Sequence, residues 1–401
     1  MIPPEILRRV VRKAKEILSP VRPAPHTSDP SPTTASPTTP PNPTTTPDPN
    51  PTPSTTAPAT EPDPAPLGYS EPGDVADLGV LFMPLAGYHG RELGAIGDAL
   101  ASLGHRVSYL VEQAAIEAID PHLGDHPKVI ARPGYDKHAL GTFDGFVAMN
   151  DWGEPSRAVY HLARLRNVPS IAKVEGVQDF TDADTGWIRL PYMAADHVLV
   201  QGDNDTSALD RKNLHVVGNS NMERAWAQGP ASGDRNGEVV INSNFTYGVL
   251  TEERDRFLRE AIEAIEAAGR RPVISQHPAD LGLPAEFAKY RSDRSMSSML
   301  PECEAVVTRF STVPFEAIAY GTPFVYFNPH FEKVPTFTSP DVAFEHVHTV
   351  ADLTAALLTA IDNRGTYRTR AEPYFRAQVD IGPTPSAERS AQAIANIIYP
   401  S

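Results

Sequence analysis

The sequence predicts an α/β protein with two doubly wound, Rossmann-like domains of parallel strands facing a cleft. Residues 78–111 contain, in order, a strand pattern, a glycine-containing loop, a helix pattern, a Gly-His turn and another strand pattern, and many doubly wound domains begin in this way. Residues 304–327 contain a strand, a polar loop, a helix and a strand. Elsewhere, short apolar runs alternate with amphipathic helical segments, which is typical of buried parallel strands joined by helices.

The composition excludes several classes of protein. The net charge of −15 argues against general binding to nucleic acid, whose phosphates attract basic surfaces. Cys303 is the single cysteine, so there is no disulfide framework, and a reducing cytosol is the simpler setting. No apolar run approaches the length that crosses a bilayer. We therefore expect a cytoplasmic protein that has no nucleic-acid partner.

Two N-terminal segments differ from the rest of the chain. Residues 1–18 predict a basic amphipathic helix, since apolar residues recur at helical spacing and Arg and Lys fill the other face. Such a helix either lies on an anionic membrane, at the inner face of the cell membrane, or docks on a partner or a second copy. Residues 19–76 are rich in Pro and Thr and predict a disordered linker without catalytic residues.

The remaining chain divides at changes in composition. We predict one Rossmann-like domain over residues 77–230 and a second over residues 231–385. The boundary falls in a stretch near residues 227–236 that is rich in Gly, Pro and Asp. Residues 386–401 predict a final amphipathic helix.

The most informative stretch lies in the second domain. Residues 305–307 predict a buried strand, and a polar turn follows it. Ser311 or Thr312 can cap a helix over residues 313–320, which Gly321 ends. The sequence therefore places a polar turn and the start of a helix at the end of a buried strand.

This arrangement predicts a site for a diphosphate. The unpaired N–H groups at a helix start, near Ser311 and Thr312, favour an anion. Arg309 would add a positive charge there. Glu316, one turn inside the helix, can accept hydrogen bonds from two neighbouring hydroxyls such as those of a ribose.

The same stretch resembles the donor-binding segment of GT-B-fold glycosyltransferases. The matching residues are Thr308, Ser311, Thr312, Glu316, Ala317, Gly321 and Pro323. The resemblance implies that Glu316 holds the ribose of a nucleotide-sugar and that the preceding loop holds its phosphates. It also implies that residues 231–385 form the donor domain, and that Asn244 and Thr246, in its first loop, approach the phosphates. In the same way, it implies that the helix over residues 386–401 packs back across the domain junction.

A second point of similarity lies at His277-Pro278, after the second strand of the donor domain. Teichoic-acid-type glycerophosphotransferases, which are also GT-B proteins, carry a His-Pro there. The similarity implies that His277 hydrogen-bonds a phosphate oxygen. The alternative is a structural histidine at a strand tip.

The resemblance also suggests two candidates for the catalytic base in the acceptor domain, residues 77–230. Some GT-B enzymes carry a Gly-His pair after the first strand, and here His89 follows Tyr88. A histidine suits this task because its ordinary pKa lies near working pH. Glu175 is the second candidate, since glycerophosphotransferases have a His-Gly pair where this chain has Glu175-Gly176.

Other acidic residues follow the strands of the same domain. Asp151 and Asp179 are expected near the carboxyl ends of strands, where α/β sheets bind ligands, and are candidate acceptor-side groups. Two D-x-D triplets, residues 182–184 and 203–205, match the metal signature of the other main glycosyltransferase fold. Such triplets are common by chance, and the second one favours a helix start. We expect no metal and no cofactor.

The sequence therefore predicts a metal-independent glycosyltransferase that moves a sugar from a nucleotide-sugar to an acceptor hydroxyl. The acceptor would be a glycan, a lipid-linked molecule or a small molecule, in the synthesis of cell-surface polysaccharide or glycoconjugate. Arg309 and His277 would stabilise the departing nucleoside diphosphate. Two alternatives remain open: a nucleotide-sugar epimerase or glycerophosphotransferase-like enzyme, and a non-catalytic GT-B-like scaffold tethered to a membrane assembly.

Overall fold

The computed structural model describes residue 66 and residues 68–400, except for short internal segments. Those segments are residues 177–180, 184–185, 188, 231–234, 246–248, 278–279, 281 and 339–341. The predicted helix at residues 1–18, most of the predicted linker, and Thr246 and Asp179 lie outside the described residues.

The first sheet contains, within the described residues, eight strands that all pair in parallel. They are β1 (Tyr69–Ser70), β2 (Val80–Met83), β3 (Val107–Glu112), β4 (Lys128–Ala131), β5 (Gly145–Ala148), β6 (Ser170–Lys173), β7 (His197–Val200) and β8 (Leu214–Val216). Their spatial order is β1-β4-β3-β2-β5-β6-β7-β8. The direction of winding reverses between β2 and β5, so a crevice opens beyond the carboxyl ends of these two strands.

Helices cover both faces of this sheet. They are α1 (Gly87–Ser102), α2 (Ile116–Ile119), α3 (Glu154–Leu165), α4 (Asp203–Ala208) and α5 (Ser220–Gln228), with 3-10 turns at Gln113–Ala115, Asp120–His122 and Lys137–Ala139. In α1, Leu93, Ile96 and Leu100 are fully buried against the strands, as helical spacing of apolar residues predicts. Part of the predicted glycine-containing loop is helical instead: α1 begins at Gly87, so Tyr88 and His89 lie in its first turn.

The folded part begins before residue 77, which corrects the predicted end of the linker. Tyr69–Ser70 pairs in parallel with β4 at the edge of the first sheet. The Tyr69 hydroxyl donates to Asp120 Oδ1 at 3.0 Å, and the side chain of Arg132 pairs with Glu71 at 3.0 Å. These contacts order a segment whose composition resembles that of the linker.

The second sheet contains, in the part of the chain that the structure describes, five parallel strands. They are β9 (Glu238–Ser243), β10 (Arg271–Gln276), β11 (Ala305–Thr308), β12 (Phe324–Phe327) and β13 (Phe344–Val347), in the order β10-β9-β11-β12-β13. Here the winding reverses between β9 and β11. The polar turn at residues 309–312 therefore follows a strand at the reversal, where ligands bind in open α/β sheets.

Helices also pack on both faces of the second sheet. They are α6 (Arg254–Ala267), α7 (Met296–Met299), α8 (Val313–Ala319), α9 (Pro335–Thr338), α10 (Val350–Asp362) and α11 (Arg364–Gln378), with 3-10 turns at Thr251–Glu253 and Ala285–Tyr290. One apolar cluster contains residues of α8 and α11, and a second contains residues of α6 and α10. The strands between them are buried on both faces, and this explains their continuous apolar runs.

The end of the chain returns to the first sheet. Helix α12 (Ser386–Ile398) buries Ala391, Ile394 and Ala395 in the same apolar cluster as α1. Just before it, Gln378 Nε2 donates to Asp205 Oδ1 at 3.0 Å, and this bond ties the end of α11 to the first domain. Within the described residues, no helix has both the length and the apolar character needed to cross a membrane.

Candidate functional site

A polar cleft lies between the carboxyl edges of the two sheets, with a volume of about 640 Å³. The first domain contributes residues that follow β2 and β6, and the second contributes residues that follow β9, β10 and β11. A larger groove of about 1200 Å³ lies between α1, α12 and the last strands of the first sheet. None of the candidate residues lines that groove, so we take the interdomain cleft as the site.

Glu175 is the acidic group of the first domain at this cleft. Its Oε2 accepts a hydrogen bond from Asn150 Nδ2 at 2.7 Å. Its Oε1 is 3.1 Å from His89 Nε2 and accepts a hydrogen bond from the Tyr88 hydroxyl. These partners follow β2 and β5, which pair side by side next to β6. Three adjacent strands therefore bring together residues that are far apart in sequence.

The hydrogen bonds of His89 fix its tautomer. Its Nδ1 accepts the backbone N–H of Leu85 at 3.2 Å, so the ring proton must be on Nε2, which then donates to Glu175. The His89 side chain is 2% exposed and does not line the cleft, whereas Glu175 does. The sequence ranked His89 above Glu175 as the base, and this geometry favours the reverse order.

The surroundings of Glu175 keep it ionised. Burial acts to raise the pKa of Glu175, but the hydrogen bonds from His89, Tyr88 and Asn150 outweigh it and hold the pKa well below its usual range. The carboxylate is therefore negative at neutral pH and can accept a proton.

The polar turn of the second domain faces the cleft as the sequence predicted. Ser311, Thr312 and Glu316 all line it, together with Asn244. Ser311 Oγ accepts the N–H of Val313, the first residue of α8, at 3.2 Å, whereas the Thr312 side chain, at the N-cap position, makes no capping hydrogen bond. Asn244 Nδ2 donates to the carbonyl of Phe310 at 3.2 Å, so the loop after β9 is fastened to the polar turn.

Glu316 is half-buried, and among the described residues no group donates a hydrogen bond to its carboxylate. Burial raises the pKa of Glu316, and the positive charge of Arg91 opposes this shift. Arg91 belongs to α1, on the other side of the cleft. A carboxylate that is partly removed from water and lacks hydrogen-bond donors is unfavourable, so a ligand with hydroxyl groups would stabilise it.

His277 lines the cleft at the end of β10. Its backbone N–H donates to the carbonyl of Ser243 at 2.9 Å, which fixes the strand tip. Burial lowers the pKa of His277, while the negative charges of Asp280 and Glu175 act in the opposite direction. His277 and Glu175 therefore line the same cleft from opposite domains.

Arg309 is not in the cleft, and this corrects the predicted contact with the phosphates. Its side chain is fully buried, and Nε donates to Glu332 Oε2 at 2.9 Å. The guanidinium lies 4.2 Å from the ring centre of Phe245 and 4.4 Å from that of Phe310. Burial acts to raise the pKa of Glu332, but the charge of Arg309 helps to hold it well below its usual range. Arg309 therefore supports the polar turn from beneath.

The prediction that Asp151 is an acceptor-side group in the cleft is also wrong. Its carboxylate accepts the backbone N–H of Tyr192 at 3.0 Å and that of Ala194 at 2.9 Å. Both oxygens are therefore engaged, and the residue is 7% exposed and does not line the cleft. Asp151 fixes the conformation of a neighbouring loop.

Sequence reasoning missed four residues that the structure brings to the site. Tyr88 and Asn150 hold Glu175, and Arg91 and Arg224 supply the arginine side chains that line the cleft. Both arginines come from helices of the first domain rather than from the polar turn. Arg91 follows the candidate base His89 by two residues, and this position could have indicated it. A loop was expected there, however, and a loop does not fix the direction of a side chain.

The described residues contain no cluster of three or more His, Cys, Asp or Glu side chains suited to a metal ion. In the second D-x-D triplet, Asp205 is buried. Its Oδ2 accepts the N–H of Gln201 at 2.7 Å and its Oδ1 accepts from Gln378. Asp184, in the first triplet, lies outside the described residues.

No protein-family model matches the chain, and no curated protein matches it by sequence. Solved structures do match. A protein assigned as a UDP-N-acetylglucosamine 2-epimerase from Listeria monocytogenes has a TM-score of 0.58 at 11% identity, covering 82% of this chain and 98% of that one. UGT2 from Phytolacca americana, complexed with UDP-2-fluoro-glucose and pterostilbene, has a TM-score of 0.52 at 12% identity, covering 80% and 99%.

A third match is the wall teichoic acid polymerase TagF, in a structure with CDPG. Its TM-score is 0.51 at 10% identity, and the match covers 80% of this chain and 88% of that one. At such identities the likeness concerns the fold. It agrees with the two facing parallel-sheet domains described above, so this chain has the GT-B fold.

Proposed function

We propose that this protein is a glycosyltransferase that moves a sugar from a nucleotide-sugar, bound in the interdomain cleft, to an acceptor hydroxyl. One observation carries the proposal. The ionised carboxylate of Glu175, in the first domain, faces the same cleft as the polar turn of the second domain and as Glu316, whose carboxylate accepts no hydrogen bond among the described residues. The first group suits proton transfer and the second suits a ribose. The GT-B fold of structures with UDP-sugar ligands supports the same arrangement.

In the proposed reaction, the acceptor oxygen attacks the anomeric carbon while the bond to the diphosphate oxygen breaks. Glu175 accepts the proton of the acceptor hydroxyl, and the nucleoside diphosphate leaves with the bonding electrons. Hydrogen bonds from Asn150 and His89 keep the carboxylate in one orientation. His89 thus acts through Glu175 rather than on the substrate.

The departing diphosphate needs positive charge and hydrogen-bond donors. Arg91 and Arg224 line the cleft from the first domain, and His277 lines it from the second. The hydroxyls of Ser311 and Thr312 add short polar donors on the side of the second domain. We assign these residues to the phosphates in place of Arg309, and the proposed chemistry uses no metal ion and no cofactor.

The process and location are part of the proposal. We propose synthesis of a cell-surface polysaccharide or glycoconjugate at the cytoplasmic side of the membrane. The basic, amphipathic pattern of residues 1–18 supports peripheral contact there. The acidic net charge of the chain disfavours nucleic acid as a partner.

A panel of nucleoside diphosphates in a thermal-shift assay tests the donor site. A ligand that binds only the native state raises the melting temperature, so one diphosphate should give a clear shift that the Glu316→Ala variant loses. No shift with any diphosphate would support the non-catalytic scaffold instead.

A nucleotide-sugar epimerase can be distinguished from a glycosyltransferase because it needs only the nucleotide-sugar and no acceptor. The matching sugar nucleotide would be incubated with the protein in the absence of acceptor, and the products would be separated by chromatography. Conversion of the nucleotide-sugar into its epimer would show that the protein is an epimerase and would contradict the proposed transfer. Release of diphosphate only when an acceptor is added would support it.

A further inference from the structure

Four exposed apolar side chains belong to two neighbouring segments of the first domain, one that follows β5 and one that precedes β7. Trp152 is 40% exposed, Trp187 56%, Leu190 77% and Met193 63%. We call these four residues the apolar rim. Single exposed apolar side chains are common on protein surfaces, but four of them on two neighbouring segments form a patch that suits a binding surface.

Hydrogen bonds to Asp151 fix the backbone on either side of Met193. Tyr192 has φ of 61°, in the left-handed region that non-glycine residues rarely adopt, and its backbone N–H donates to Asp151 at 3.0 Å. Ala194 donates to the same carboxylate at 2.9 Å. Because these bonds fix the backbone beside Leu190 and Met193, the two side chains cannot easily turn into the core.

The rim is directly connected to the candidate base. The backbone N–H of Trp152 donates to Asn150 Oδ1 at 3.3 Å, and Asn150 donates to Glu175. The backbone N–H of Glu175 in turn donates to the hydroxyl of Tyr192 at 3.0 Å. The rim therefore adjoins the segments that hold Glu175, and Glu175 itself lines the cleft.

Arginine side chains accompany the rim although the whole chain has a net charge of −15. The Arg189 guanidinium lies 4.6 Å from the ring centre of Trp152 and pairs with the Asp182 carboxylate at 3.7 Å. Arg157 and Arg211 donate to backbone carbonyls of the supporting segments. Tryptophan and arginine together suit the boundary between lipid headgroups and acyl chains, where the ring and the charge can both be satisfied.

The size of the rim favours lipid over protein. Large side chains present about 200 Å² each, so the four exposed fractions amount to roughly 500 Å². A stable protein interface buries about 800 Å² on each partner, which is more than the rim offers. A bilayer has no such requirement, because a few side chains can insert among the headgroups.

We propose that the apolar rim docks on a phospholipid bilayer and that the acceptor is a lipid-linked molecule presented at that surface. Trp152 and Trp187 enter the headgroup layer, and Leu190 and Met193 reach the upper acyl chains. The identity of the acceptor rests on the proposed function, whereas the membrane contact can be measured without any sugar nucleotide.

The chain provides its own reporter of this contact. Trp152 and Trp187 are two of its three tryptophans, and the third, Trp226, is stacked on Phe375 with ring centres 4.6 Å apart. The full-length protein would be titrated with phosphatidylcholine vesicles that carry brominated acyl chains. Neutral lipid is chosen because the basic residues 1–18 would bind anionic lipid by charge alone. We expect a blue shift of the emission and quenching by the bromine atoms.

The test variant is Leu190→Ser with Met193→Ser, which keeps all three tryptophans. We expect its partition coefficient to fall at least about tenfold, since two large apolar side chains leave the lipid contact. The matched control is Leu103→Ser with Leu358→Ser; these leucines are 49% and 42% exposed and lie away from the rim, and vesicle binding should be unchanged.

Absence of quenching in the unmodified protein would overturn the proposal, as would equal losses in the two double variants. A dimer that depends on protein concentration, is lost in the rim variant and shows no vesicle binding would assign the rim to a second copy of the chain. A thermal shift with nucleoside diphosphate in every variant would show that the donor site is intact, so failure of the membrane contact would leave the proposed transfer standing.

Discussion

His89 lies behind Glu175 as seen from the cleft, with Nε2 3.1 Å from Oε1 and Nδ1 engaged by the N–H of Leu85. The imidazole therefore donates its proton to the carboxylate and has no free lone pair for a substrate. The carboxylate faces the cleft, and the histidine orients it. The assignment of the base to Glu175 follows from this relationship.

Replacing the proposed base should abolish most of the transfer. We expect Glu175→Gln to lower kcat by about 10²- to 10⁴-fold, the usual contribution of a positioned general base, with little change in the affinity for nucleoside diphosphate. The measurement is steady-state kinetics beside diphosphate binding by calorimetry. Tyr69→Phe, at the far edge of the first sheet, is the control and should retain full activity.

The companion variant His89→Gln should be milder, with a loss of roughly tenfold or less, because an amide can still donate to Glu175. If His89→Gln lowered kcat as much as Glu175→Gln while binding diphosphate normally, His89 rather than Glu175 would be the catalytic base.

The role of Glu316 can be tested on the ligand as well as on the protein. Glu316→Gln should weaken binding of the preferred nucleoside diphosphate by roughly 10- to 100-fold, since hydrogen bonds to a charged group contribute about 1.5–3 kcal/mol. The 2′-deoxynucleoside diphosphate is the matched control: it should bind the unmodified protein more weakly than the ribonucleotide, and the variant should distinguish the two poorly. Undiminished discrimination in the variant would place the ribose elsewhere.

The Arg309–Glu332 pair should matter for stability. Arg309→Met leaves the buried carboxylate of Glu332 without its countercharge, which should lower the free energy of unfolding by about 3–5 kcal/mol in urea titrations. Removing both charges, with Arg309→Met and Glu332→Gln, should recover part of that loss. A fully stable Arg309→Met variant with weakened diphosphate binding would instead indicate that Arg309 contacts the phosphates.

The pH dependence of stability follows from the lowered pKa of Glu175. The folded-state pKa is below the unfolded value of about 4.3, so the ionised carboxylate stabilises the fold above that pH and the contribution is lost as pH falls toward the folded pKa. The free energy of unfolding should therefore fall more steeply below about pH 5 in the unmodified protein than in Glu175→Gln. Parallel curves for the two proteins would contradict the lowered pKa.

Local signals predicted the polar turn and its neighbours well. The sequence placed a strand at residues 305–307, a helix at residues 313–320 and a strand at residues 324–327, and the structure has Ala305–Thr308, Val313–Ala319 and Phe324–Phe327. Apolar runs, the helix-ending glycine and the following proline are short-range features, so the chain carries them without tertiary information.

The directions of side chains were less predictable. Arg309 was expected to face a ligand because it precedes the turn, yet Glu332, 23 positions later, draws it into the interior. Asp151 was expected in the cleft because it follows a strand, yet two backbone N–H groups from residues 192 and 194 engage it. Both partners are distant in sequence, and no local pattern indicates them.

The sequence by itself determined the two parallel-sheet domains, the polar turn and the presence of Glu316 at its helix, because hydrophobic periodicity and capping residues act over a few positions. The tertiary structure decided which groups meet. It brought Tyr88, Asn150 and Glu175 together from three neighbouring strands and placed Arg91 opposite Glu316. The physical reason is that charge, burial and hydrogen bonding depend on distances through space, and these are set by how the sheets are wound and how the two domains face each other.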